Sequence, residues 1–244
     1  MLLELDIWLN HFEYHAQQRR APAGGLPDVL TRAEQLLIAR SIARFQLGEQ
    51  SEGATLLRAA ERFAQAQQLP RLPRIIELFI HEEQRHAALL RDFMRDHDIP
   101  PRQRDWTDTV FRRVRRLAGF ELYLHVLITA ELIGNVYYRA LESVTGCQRL
   151  RILCRTLVCD ELAHIGFESQ LLQALAARRP GGVRATLRCL HRLFLAAAAG
   201  AVWLTHRALL RRAGYSALSF QRACRAQYAF YLAPPPLAVT VPSS

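Results

Sequence analysis

Two short stretches of the chain carry residue types that bind metal ions: His81-Glu82-Glu83-Gln84-Arg85-His86 and Asp160-Glu161-Leu162-Ala163-His164. Each contains Glu-x-x-His, and in each an acidic residue stands directly before the glutamate. On a helix, positions i and i+3 share a face about one turn apart. Glu83 with His86, and Glu161 with His164, therefore each aim a carboxylate and an imidazole at one point. Ile76, Phe79, Leu90 and Phe93 continue the first stripe, and Leu153, Leu157, Leu171 and Leu175 continue the second. Ionisable groups in an apolar stripe are costly unless paired or bound to a metal.

Two further glutamates complete a repeat. Glu52 lies 31 residues before Glu83, and Glu131 lies 30 before Glu161. The chain thus reads twice as a helix with one glutamate, a turn, and a helix with Glu-x-x-His. Glu49 is an i, i+3 neighbour of Glu52 and also faces inward; the matched spacing selects Glu52. Four glutamates and two histidines converging in a four-helix bundle form a two-metal carboxylate site.

Over roughly residues 32–178 this pattern resembles the ferritin-like di-iron carboxylate superfamily, which includes rubrerythrins, bacterioferritins and di-iron oxygenases. The resemblance implies two iron ions, with manganese or a mixed manganese–iron pair as alternatives. Each ion would take one histidine, one terminal glutamate (Glu52 or Glu131) and a share of bridging Glu83 and Glu161. It also implies that Glu82 accepts from His164, that Asp160 accepts from His86, and that Arg85 neutralises this outer pair. Glu121, Asn135, Tyr138 and Glu168 are further polar residues of the seam, candidates for a substrate pocket, a proton relay or an extra ligand. The expected activity is O₂-dependent oxidation of a small organic substrate, with electrons from an external donor, because the chain has no flavin, nucleotide or iron–sulfur motif. The alternatives are iron handling or peroxide scavenging of the rubrerythrin kind, and hydroxylation of tRNA.

The elements that must position these residues follow from periodicity and punctuation. The expected fold is all-α: a ferritin-like four-helix bundle with an N-terminal helix and two additional C-terminal helices. Residues 1–27 form a docking helix and a Pro/Gly-rich connector, and in that helix His11 and His15 show no carboxylate partner. The bundle covers 28–180. Its first helix spans 28–68, with Gly48 and Gly53 marking close packing or a kink around Glu49 and Glu52. Its second spans 72–97, its third 109–144 and its fourth 148–179, with the connector 98–108 as the crossover. The extension 181–232 holds helices over 183–213 and 216–232, and 233–244 is a Pro-rich tail.

Composition narrows the partners. The 244 residues suffice for one substantial core. Five scattered cysteines without Cys-x-x-Cys read as reduced thiols in a cytoplasmic protein. The net charge of +10 comes entirely from arginine, with no lysine. The densest cluster, Arg112, Arg113, Arg115 and Arg116, reads as a solvated surface, so the arginine excess permits a nucleic-acid partner without demanding one. The apolar run Leu193–Leu204 is short for a bilayer span and reads as a core or oligomer-interface helix, compatible with a homodimer; no membrane partner is expected.

Overall fold

In a computed structural model, residues 4–17, 28–50, 53–103 and 119–232 are described. Among them every regular element is an α-helix: α1 (Leu5–Gln17), α2 (Arg32–Glu49), α3 (Ala54–Gln67), α4 (Leu72–Asp96), α5 (Phe120–Ser143), α6 (Gln148–Ala177), α7 (Gly181–Arg212) and α8 (Ala217–Leu232). Glu52, residues 104–108 of the crossover, the first ten residues of the expected third helix with the arginine cluster over 112–116, and the tail 233–244 lie outside the described residues.

Local chemistry sets the ends of these helices. Thr31 caps α2: its hydroxyl accepts from the Glu34 N–H, and the Glu34 carboxylate accepts from the Thr31 N–H in return. The other Glu34 oxygen accepts from Thr145 and Gly146, which ties this cap to the turn between α5 and α6. Asp28 caps nothing; it binds His97 and Arg149 at 2.7 Å each and pins the start of α2 to the end of α4 and the start of α6. Pro73 in the first turn of α4 is placed where its missing N–H is harmless.

The expected single helix over 28–68 is two. The break falls after Glu49, and Gly53 adopts φ +66 before α3 begins. A Cβ there would lie 2.3 Å from Ile80 Cγ2, so glycine answers both a left-handed backbone and a close approach to α4.

One apolar cluster runs from α1 to α8. Its centre is α5, buried nearly all round from Phe120 to Leu141. Helix α6 packs along it, α4 lies against α2 and α6, and α7 covers α2 and α5. Helix α1 lies over α4, with fully buried Phe12 meeting Phe79, His164 and Phe167. Trp8 donates to Gln170 at 2.8 Å and packs on Gly166. Helix α7 is locked inward by Ser41, whose hydroxyl sits 2.7 Å from His206 Nδ1 and 2.9 Å from the Tyr137 hydroxyl. By length and composition α7 is the described helix that could cross a bilayer, and a third of its most apolar window is buried.

Candidate metal centre

Helices α2, α4, α5 and α6 each send a carboxylate to one buried region, and α4 and α6 add an imidazole. Two groups of ligand atoms result, each with its members within 4.8 Å of one another. The first is Glu49, Glu83, His86 and Glu161; the second is Glu83, Glu131, Glu161 and His164. Glu83 and Glu161 belong to both. His86 Nδ1 lies 3.3 Å from Glu83 and 3.5 Å from Glu161, while His164 Nδ1 lies 3.1 and 3.6 Å from the same two residues. The i, i+3 spacing on α4 and α6 produces this geometry directly.

Among the described residues Glu49 is the α2 carboxylate that reaches this region; Glu52, which equal spacing selects, lies outside them. Counted from Glu49, the two half-repeats differ in length: Glu49 stands 34 residues before Glu83, and the helix break after Glu49 absorbs the excess over the 30 that separate Glu131 from Glu161. Glu49 also accepts a 2.5 Å hydrogen bond from the Tyr138 hydroxyl.

Behind the histidines stand the two preceding acids. His164 Nε2 lies 3.1 Å from Glu82, and His86 Nε2 lies 3.2 Å from Asp160. Ionised carboxylates only accept, so each Nε2 carries the proton and each Nδ1 presents its other face to the clusters. Arg85 donates to both acids, at 2.5 and 2.9 Å. The outer pair is thus already satisfied by protein groups, while the inner atoms are not. Glu83 Oε1, Glu161 Oε2, His86 Nδ1 and His164 Nδ1 are all buried without a hydrogen-bond partner among the described residues. Orphaned polar atoms of this kind are rare and ask for a ligand. Four carboxylates and two imidazoles suit a pair of divalent or trivalent ions with oxygen and nitrogen preference.

Protonation answers the same crowding when metal is absent. Burial, reinforced by Glu83 and Glu161, raises the Glu49 carboxyl well above its ordinary range. For both histidines burial pulls downward, but the surrounding carboxylates win and hold them well above 6.5. Glu83 moves the other way: burial opposes its charge, yet His164 and His86 keep it ionised.

The remaining seam residues divide. Glu168 is buried one turn beyond His164, both its oxygens lack a hydrogen-bond partner among the described residues, and burial raises its carboxyl well above the usual range. Asn135 is fully buried and accepts from Arg139, with no contact to the clusters given by its hydrogen bonds. Glu121 stands at the start of α5 in an ion pair with Arg179, away from the centre.

Two features carry no clear sequence signal. His15 approaches the outer acids, 3.8 Å from Glu82 and 4.0 Å from Asp160, and its i, i+4 spacing to His11 was the one trace of it. A cavity of about 150 Å³ opens on Glu49, Glu83, Glu131 and Glu161 and is otherwise walled mainly by apolar side chains, among them Phe45, Leu56, Phe79, Ile80 and Val202. Arg44 and His206 supply its remaining polar lining. The five cysteines are free.

No protein-family model, curated protein or solved structure matches this chain.

Proposed function

We propose that the chain is a ferritin-like di-iron carboxylate protein that uses O₂ to oxidise a small organic molecule. The observation that carries this reading is the pair of ligand clusters sharing Glu83 and Glu161, with unpartnered atoms of both histidines turned into them. His86 and Glu49 would hold one ion and His164 and Glu131 the other, with Glu83 and Glu161, members of both clusters, available to either. Bound iron supplies the electrons and the open positions for O₂ reduction, which side chains cannot supply.

The protein's own groups do the rest. Glu82 and Asp160 fix the ring orientation and tautomer of the two histidines, and Arg85 donates to both acids and holds them in place. Tyr138 holds Glu49 by its hydroxyl and so orients one of the four carboxylates that line the cavity. The apolar wall excludes water from the face where a substrate would lie. A cavity of about 150 Å³ has room for one benzene-sized group, which favours a compact substrate. That cavity also supports oxidation over storage, since storage needs an exit for iron and no apolar chamber.

Single-turnover O₂ uptake by the reduced, iron-loaded protein tests the proposal. One O₂ per pair of irons, from a monomer or small oligomer by light scattering, is the expected result. A hollow assembly that takes up many irons per chain would replace this reading with storage.

A further inference from the structure

The charge of the molecule is divided sharply along the chain. Residues 169–244 contain ten arginines and no aspartate or glutamate, so the whole surplus of +10 resides there, and residues 1–168 balance. All ten arginines lie between Arg178 and Arg225, on α7, α8 and the turn before them. Arg207, Arg211, Arg212, Arg222 and Arg225 are exposed.

The same two helices hold the largest exposed apolar side chains of the C-terminal half. On α7, Leu190, Leu193 and Leu204 are 56, 63 and 65 % exposed, and on α8 Leu218 and Phe230 are 70 and 81 % exposed. Leu190, Leu193, Ala197, Leu204 and Ala208 recur at helical spacing and form one outward stripe. The opposite face of α7 is fixed in the core through His191, Leu195, Ala199, His206 and Leu210. Arg207, Arg211 and Arg212 close the C-terminal end of the stripe.

We propose that α7 and α8 form a docking surface for an anionic lipid bilayer, with the leucine stripe at the acyl boundary and the arginines on lipid phosphates. An apolar stripe bordered by cations is what an interfacial helix presents to such a membrane. The alternatives fit worse. A second copy seated on this face would bring two uncompensated clusters of arginines together. A nucleic acid would accept the arginines and gain nothing from exposed leucines. Insertion of α7 across the bilayer would tear His191 and His206 from the core, so the helix lies on the membrane.

Vesicle flotation of the full-length, metal-loaded chain tests this. We expect binding to phosphatidylcholine vesicles containing about a third phosphatidylglycerol to be roughly tenfold or more tighter than to pure phosphatidylcholine. Leu193→Ser combined with Leu204→Ser, at exposed positions that leave the core intact, should abolish most of it. Arg211→Gln with Arg212→Gln should weaken it, as should high salt. Four results would overturn the proposal: no flotation with the anionic vesicles; flotation unchanged by the leucine substitutions; a dimer in light scattering that those substitutions dissolve; or tighter retention on duplex DNA or tRNA than on vesicles.

Discussion

Glu49 and Glu52 differ by three residues, and a helix would place both on the inward face. Glu49 is the last residue of α2, and its carboxylate lies with His86, Glu83 and Glu161; Glu52 lies outside the described residues. We therefore expect Glu49→Ala to lose about one bound ion per chain and Glu52→Ala to keep both, as measured by elemental analysis after gel filtration. Equal loss in the two variants would place the first-helix ligand wrongly. The Glu-x-x-His pairs and the acids before them were legible because their signal is local, one helical turn long. Choosing between Glu49 and Glu52 from the sequence rests on the two half-repeats having one length, whereas counting from Glu49 makes the first 34 residues and the second 30. His15 was illegible for another reason: Glu82 and Asp160 lie far along the chain, and only the docking of α1 brings them together.

At the scale of elements, α4, α6, α7 and α8 begin and end within a few residues of where proline, glycine and apolar periodicity put them. Gly48 and Gly53 mark close packing or a kink here, but the sequence does not show that the helix ends, because every residue from Glu49 to Glu52 is compatible with a helix. Gly53 is what decides it, through a left-handed φ and the contact with Ile80 that no pattern along one strand of sequence reveals. Gly53→Ala should therefore destabilise the metal-free protein by about 1–3 kcal/mol, the ordinary range for overpacking, with added strain from the backbone. Urea unfolding measures this. Because the break also sets the end of α2, the same variant should bind metal more weakly. An unchanged midpoint together with unchanged metal affinity would mean that neither the turn nor its contact with α4 matters.

For the whole molecule, the proposed metal reading makes the site a competition between metal ions and protons. His86, His164, Glu49 and Glu168 all have raised pKa values in the metal-free fold. A group whose folded pKa is raised contributes stability below its unfolded value and loses it as pH rises through the folded value. The unfolded references are 4.5 for the glutamates and 6.5 for the histidines. Glu83, with its depressed pKa, has the opposite sign, and its contribution is constant above 4.5. Burial lowers the pKa values of His125, His191 and His11, which gives them the opposite sign up to about 6.5. The metal-free protein should accordingly lose stability as pH rises from about 7 to 8, where only the raised groups still titrate, whereas the metal-loaded protein should not. Metal uptake must also release protons, so affinity should increase with pH; thermal melts of both forms across that range, and pH recording in weak buffer during loading, check the two statements. A metal-free melting temperature that rises over this window would reverse the assigned signs.

The most direct test of the two-ion centre is an anaerobic titration of the metal-free chain with ferrous iron, followed by its Mössbauer spectrum. The shared carboxylates Glu83 and Glu161 predict saturation at two irons per chain in wild type, and close to one when either His86 or His164 is changed to alanine. They also predict magnetic coupling between the two ions once both are oxidised. Saturation at a single iron, selective retention of one zinc, or no iron at all would contradict the account.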